Sequence, residues 1–352
     1  MDANDTKNTL ELLGSAIRSR KVAIITHNNP DPDSIAAALG LSTLLKKRFN
    51  KDSALFYGGL IGRAENRAMI RELNIKMKNI REFDHRVYRT TALVDTQPGA
   101  GNNSLNKDII PDIVIDHHIP VRKKTHLVPF HDIRADFGST STIIFEYLKE
   151  AGIEITSKVA TALFYGIKTD TYDLGREFIK HDIDAYFHCA QRMNRKILHS
   201  IERPLHRQSY FVRMYEAIDE TEICGDLLFT VVRNADYPEI TAEVADWLYT
   251  MRGIKWTLVV AVDASGEIFL SIRTRDKKRD AGHVITKIAG PHGMAGGHGL
   301  IAGGSIRLDN PDPVSVRKEI MNVKAKFFKL LSKNKNAEPA PLINRLERPL
   351  SD

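Results

Sequence analysis

Over its first two hundred residues, this 352-residue chain alternates short apolar runs with longer helical patterns, and three of the runs end in polar, chemistry-bearing residues. "KVAIIT" (Lys21–Thr26) reads as a buried strand and "SIAAALGLSTLLKKRF" (Ser34–Phe49) as the helix that follows. "SALFYG" and "RAENRAMIREL" repeat the pair, and "TALVD" (Thr91–Asp95) and "DIVID" (Asp112–Asp116) add two more strands. Strands joined through helices imply a parallel sheet, because a parallel connection needs a crossover. The expected architecture is therefore α/β, with a doubly wound, mainly parallel sheet in the N-terminal half. Such open sheets bind ligands at the carboxyl ends of their strands. Those ends carry Thr26-His27, Asp95 and Asp116-His117-His118.

Farther along, "STSTIIFEYLKEAG" and "TSKVATALFYGIKTDT" have helical spacing, the second apolar enough through its middle to be buried. Asp182 to Ala217 continues in helical spacing, broken at Pro204, and reads as a connecting region. From Thr221 the texture changes. "DLLFTVVR", "KWTLVVAVD" and "GEIFLSIRTR" are strand-like, and "ASG" between the last two signals a hairpin. A helical "GHVITKIAG", the glycine-rich "GMAGGHGLIAGGS" and a last strand and helix complete a smaller α/β domain. The expected organisation is a first domain over residues 1–190, a helical connector over 191–220, a second domain over 221–332 and a loosely held tail over 333–352.

Two cysteines, Cys189 and Cys224, fit neither a disulfide framework nor a metal knuckle and point to a reducing cytoplasm. No apolar run approaches eighteen residues and "MDANDTKNTLELL" has no apolar leader, so neither membrane nor export is expected. The net charge of +7 suits a handler of polyanions, although "DKKR" and "VKAKFFKLLSKNK" place many lysines on what reads as solvated surface.

Taken alone, "HNNPDPD" (His27–Asp33) is a turn in which Asp33 or Ser34 caps a helix. The other segments change that reading. Asp95, the Asp116-His117-His118 run and Asp170 in "GIKTDT" would meet it at one sheet edge. Carboxylates gathered without cations raise one another's pKa and destabilise the fold, and divalent metals remove that conflict. Carboxylate and imidazole ligands without thiolate suit manganese. Two such ions clamp a phosphoryl group and activate water.

In this order, "HNNPDPD", "LVDTQ", "IDHH" and "GIKTDT" resemble the motifs of DHH-family phosphoesterases, while "LSIRTR" and "AGGHGLIAGGS" resemble the DHH-associated C-terminal substrate domain. The resemblance spans about residues 20–310. It implies a two-manganese centre in which His27 and Asp31 hold one ion, Asp33, His117 and Asp170 the other, and Asp95 bridges them. His118 would lie on the leaving-group side, and Asp116 would orient an imidazole. Magnesium or cobalt are substitutes. It further implies a cleft between the two domains, with Arg273, Gly296, Gly297 and His298 holding substrate; Arg275 is the weaker candidate. Ala295 replaces the first glycine of the family's turn.

The activity so implied is hydrolysis of short oligoribonucleotides (2–5 nt) to mononucleotides, and of 3'-phosphoadenosine 5'-phosphate, by in-line attack of metal-bound hydroxide. Cyclic di-AMP or its linear product pApA is the alternative substrate. A catalytically inactive nucleotide-binding regulator is the alternative class, and it would be expected to have lost ligands. The implied partners are a short RNA or nucleotide, with no membrane and no stable long nucleic acid; a homodimer is compatible with the family.

Overall fold

The alternating pattern folds into a six-stranded sheet in which every neighbouring pair runs parallel. The structure, a computed structural model, describes residues 3–176, 178–291, 293–332 and 338–343. The chain divides into two units, Met1–Pro204 and Leu205–Asp352.

The first unit contains strands β1 (Lys21–Ile25), β2 (Asp52–Tyr57), β3 (Met77–Asn79), β4 (Thr90–Val94), β5 (Ile113–Asp116) and β6 (Phe130–Ile133). Its helices are α1 (Ala3–Ser15), α2 (Pro32–Phe49), α3 (Ala64–Glu72), α4 (Thr140–Glu150), α5 (Ser157–Asp170), α6 (Lys180–Ala190) and α7 (Arg195–Glu202). The strand order is β3-β2-β1-β4-β5-β6. Chain direction across the sheet reverses between β1 and β4, and a crevice opens at such a switch point beyond the strands' carboxyl ends. Register brings the ends level. Ile25 pairs with Leu93 and Val94 with Ile115, so His27, Asp95 and Asp116 leave the sheet along one edge.

One sheet face, with Val22, Ile24, Ala92, Val94, Ile113 and Ile115, packs against apolar stripes of α2, α4 and α5. The other, with Ala23, Ile25, Leu93 and Val114, is covered by loop residues such as Leu105 and Val128. Strands buried on both faces read as continuous apolar runs, which is why β1, β4 and β5 stand out in the sequence. By contrast β6, "FHDI", is half polar and α1 lies in a polar stretch, so neither was expected.

The second unit holds α8 (Gln208–Asp219), β7 (Glu222–Cys224), β8 (Leu227–Ala235), α9 (Ile240–Leu248), β9 (Trp256–Asp263), β10 (Ile268–Thr274), α10 (Ala281–Ala289), β11 (Gly293–His298), β12 (Ile301–Ile306), α11 (Pro313–Leu331) and β13 (Ala340–Pro341). Its mixed sheet runs β11-β12-β10-β9-β8-β7-β13, parallel only between β8 and β9. Helices α10 and α11 pack on one face, α9 on the other. The glycine-rich stretch is not a loop. It forms the antiparallel pair β11 and β12, with Gly296 opposite Gly303 and Ala295 opposite Gly304. Among the described residues no helix is long and apolar enough to cross a membrane.

Candidate metal centre

The loop after β1 is fixed to three other segments before any metal is considered. Thr26 N–H donates to Phe56 O (3.0 Å), Asn28 N–H to Asn102 O (2.6 Å) and Asn29 N–H to Gly58 O (3.0 Å). Asn66 of α3 donates to Pro30 O at 2.9 Å. Held in this way, the loop presents His27 and Asp31, and Asp31 caps α2 by accepting Ser34 N–H at 2.9 Å.

Asp95 follows β4 with φ +60°, a left-handed conformation that a non-glycine residue adopts at some energetic cost. Its side chain is buried. Asp95 Oδ2 lies 3.4 Å from His27 Nε2; Asp95 Oδ1 lies 3.7 Å from His117 Nε2 and 3.5 Å from His118 Nδ1. His27 Nε2 is also 3.4 Å from Asp31 Oδ1, and His117 Nε2 is 3.1 Å from Asp170 Oδ2. Among the described residues, three groups have ligand atoms all within 4.8 Å of one another: His27–Asp31–Asp95, Asp33–His117–Asp170 and Asp95–His117–His118. The six expected ligands therefore meet, in two triads joined through Asp95.

The segment entering α4 supplies contacts that sequence reading missed. Asp33 is buried, and its two oxygens accept Thr140 N–H and Ser141 N–H, both at 2.8 Å. Thr140 Oγ1 donates to Asp95 Oδ1 at 2.9 Å. The "STST" run reads as the start of a helical segment, but nothing in it points to Asp33, more than a hundred residues upstream. Asp170 ends α5, and Gly166, one turn earlier, makes that placement feasible. A Cβ there would lie 2.5 Å from Ser141 Oγ, 3.1 Å from Ala36 Cβ and 3.2 Å from Asp33 Cα.

Gln97, also missed, knots the third motif together. Its Nε2 donates to Asp116 Oδ2 and to His118 O, both at 2.8 Å, while its Oε1 accepts Arg122 N–H at 2.8 Å. Asp116 Oδ1 accepts His117 N–H at 2.9 Å and faces His118 Nδ1 at 2.8 Å. Asp116 thus orients His118, whose side chain is half exposed.

Electrostatics follow from this crowding. Burial alone disfavours a charged imidazole, yet for His27 the facing Asp31 and Asp95 carboxylates outweigh it and raise its pKa well above the ordinary range. His117 is raised in the same way, chiefly by Asp170. Burial, then the charges of Asp95 and Asp170, push Asp33 well above the usual carboxylate range, and burial raises Asp170. Asp95 is driven low despite burial, by His27 and the charges of His118 and His117.

These donors fit divalent cations. His27 Nδ1 faces Asn28 O at 2.8 Å and His117 Nδ1 faces Phe137 O at 3.0 Å; a carbonyl only accepts, so each Nδ1 carries the proton. Each Nε2 faces carboxylate oxygens: without metal a second proton there meets them, and on losing that proton the ring would turn an Nε2 lone pair to a cation held between the two. His117 Nε2 is buried without a hydrogen-bond partner. Asp170 sits at a helix carboxyl end, where the backbone dipole also disfavours an anion.

The second-unit candidates occupy their own sheet. Arg273 on β10 and the backbone of His298 on β11 both pair with Ile301 of β12; the His298 side chain lies outside the described residues. Gly297 has φ +136°, and a Cβ there would meet Ala302 Cα at 2.5 Å, so only glycine fits. Gly296 leaves open space where a Cβ would be. Arg273 is buried, donating to Asp246 (2.5 Å), Ser271 Oγ (2.9 Å) and Ile272 O (3.0 Å). Arg275 donates to Ile254 O at 2.7 Å and lies 4.0 Å over the Tyr249 ring.

Residues 21–167 match the model of the DHH family, N-terminal domain. An uncharacterized protein of Methanocaldococcus jannaschii is 35% identical over 292 residues, 81% of this chain and 58% of its own length. A probable manganese-dependent inorganic pyrophosphatase of Staphylococcus saprophyticus is 24% identical over 151 residues, 43% of this chain and 48% of its own. The chain spans about half the length of these curated relatives. The crystal structure of an exopolyphosphatase-related protein from Bacteroides fragilis shares the fold, with a TM-score of 0.72 over 92% of this chain and 97% of that one at 14% identity.

Proposed function

Through residues 21–167 the chain belongs to the DHH family, and from that premise we propose that it is a manganese-dependent phosphoesterase. Its substrates are short oligoribonucleotides of two to five nucleotides, cut to mononucleotides, together with 3'-phosphoadenosine 5'-phosphate. The observation that supports the reading most is the pair of ligand triads joined at Asp95, with the Nε2 atoms of two imidazoles facing carboxylates.

His27, Asp31 and Asp95 would hold one cation, and Asp33, His117 and Asp170 a second, with Asp95 offering one oxygen to each. When bound, the pair would neutralise phosphoryl charge and make water acidic enough to attack phosphorus at neutral pH. The protein's own groups do the rest. His118, steered through Nδ1 by Asp116, keeps Nε2 to give a proton to the departing oxygen. Asp116 and the Asp95 charge raise its proton affinity against the pull of burial, which suits an acid. Gln97 anchors Asp116 from behind. We assign Arg273, Gly296, Gly297 and His298 to substrate, since Gly296 leaves open backbone that a base or phosphate could approach closely and arginine suits phosphate. Arg275, engaged with Ile254 and Tyr249, receives a structural role. A decayed, purely regulatory homologue is disfavoured because all six ligands are present.

A second reading, pyrophosphate hydrolysis, is favoured by the relatives named as inorganic pyrophosphatases. One assay separates the readings: purified protein with manganese and, in parallel, an RNA dinucleotide, 3'-phosphoadenosine 5'-phosphate, cyclic di-AMP and inorganic pyrophosphate. The expected result is mononucleotide release from the dinucleotide, abolished by Asp95→Ala. Turnover of pyrophosphate alone transfers the assignment to the second reading. No turnover of any substrate, or turnover indifferent to Asp95→Ala, rejects both.

A further inference from the structure

Thr140 opens α4 and touches two aspartates that belong to different triads. Its N–H donates to Asp33 Oδ2 at 2.8 Å and its hydroxyl to Asp95 Oδ1 at 2.9 Å, and the residue is fully buried. A hydroxyl has one proton to give, so the Thr140 proton is committed to Asp95. That bond fixes the rotation of a carboxylate whose other oxygen faces His27, the arrangement a bridging ligand needs.

The segment presenting this hydroxyl is itself fixed. Ser139 Oγ caps α4 by accepting Thr142 N–H at 3.2 Å. The buried Asp182 of α6 accepts Thr142 Oγ1 at 2.5 Å, and also Gly138 N–H and Ile179 N–H, both at 2.9 Å. Thr140 therefore meets Asp95 from a braced position, rather than following wherever the carboxylate goes.

We propose that Thr140 is a positioning residue of the metal centre: its hydroxyl orients Asp95 so that one carboxylate serves both cation positions. This rests on the two-metal reading above. Hydrogen-bond partners of ligating groups orient them and tune their basicity, and losing one weakens metal binding about 10–100-fold.

The test uses the full chain, stripped with chelator and titrated with manganese, free ion being counted by electron paramagnetic resonance. Thr140→Val keeps the branched shape and the backbone N–H hydrogen bond to Asp33 but loses the hydroxyl; Thr140→Ser keeps the hydroxyl. The expected result is affinity about 10–100-fold weaker in Thr140→Val, wild-type affinity in Thr140→Ser, and a cooperative metal-free melt in both, lowered in Thr140→Val by the lost hydrogen bond to Asp95. Should Thr140→Val not fold, Thr140→Ala carries the same expectation against Thr140→Ser. Unchanged affinity in the valine variant, or an equal loss in the serine variant, overturns the proposal while leaving the metal reading intact. A wild-type chain that binds no manganese overturns both.

Discussion

Stripping the metal and raising the pH should unfold this protein progressively, and manganese should cancel the effect. Burial would keep His27 and His117 neutral, but their facing carboxylates override it and lift both pKa values well above the ordinary histidine range. In the unfolded chain the same imidazoles lose their protons near pH 6.5. The metal-free fold therefore binds more protons than the unfolded state above that point, and stability must fall as pH rises. The contribution is fully present below about pH 6.5 and is lost as pH climbs through the raised folded values. Asp33 and Asp170, also raised, act in the same direction from the carboxylate range upward; the depressed Asp31 and Asp95 withdraw their support only in acid. Each well-buried imidazole removes about 1.4 kcal/mol per pH unit while it titrates, and two together remove twice that. For a unit the size of Met1–Pro204 this is on the order of 5–10 °C in melting temperature per pH unit. Cation binding needs both Nε2 lone pairs free, so it releases those protons and strengthens across the same window. At a thousand times its dissociation constant, manganese adds about 4 kcal/mol. The assay is a thermal melt from pH 6.5 to 8.5, with chelator and with manganese. A chelated melting point that stays flat or rises over that range would refute the reasoning, because the imidazoles would then not be facing charged carboxylates.

Three substitutions probe the supports. Gly166→Val drives a side chain into Ser141 and the Asp33 backbone, so the metal-free melt should show about 1–3 kcal/mol of overpacking and manganese affinity should drop; undiminished affinity denies Gly166 its role as spacer. Gln97→Leu strips partners from Asp116, Arg122 and Thr125, at about 1–3 kcal/mol for each buried group left unpaired. It should lower kcat on the RNA dinucleotide more than it weakens manganese binding; the reverse order would place Gln97 with the metals. Arg275→Met loses the Tyr249 contact, worth about 0.5–2 kcal/mol. Its melt should fall while KM holds, and a tenfold rise in KM would return Arg275 to the substrate.

The centre was legible because its ligands stand where sequence exposes them. His27, Asp95 and the Asp116–His118 run each follow an apolar strand, and strand ends in a parallel sheet converge by geometry alone. Asp170 was readable only through its motif, since a helix end gives no comparable guarantee. Thr140, Ser141 and Gln97 were not legible, because a hydroxyl or amide says nothing of which distant carboxylate it meets. The glycine strands hid for a different reason. Glycine weakens a strand, so "GMAGG" reads as a turn until β12 lays Gly303 and Gly304 against it and shows a ribbon of bare backbone. Arg273 was foreseen as a residue but not in its setting, since Asp246 comes to it from a helix twenty-seven residues earlier.

Asp95 shows why the legible and the hidden parts depend on each other. It stands at the switch point, takes a left-handed φ of +60° and keeps its carboxylate buried among three imidazoles. Each of these is unfavourable for an isolated residue: the backbone conformation stores strain and the charge forfeits its water. Apolar strands can put a carboxylate at that edge, but they cannot choose its rotation or keep its backbone strained. That takes Ile115 O accepting the Asp95 amide at 2.9 Å on one side and the Thr140 hydroxyl on the other. The strand pattern thus decides where the chemistry happens, and the first turn of α4 decides whether the two triads can act as one.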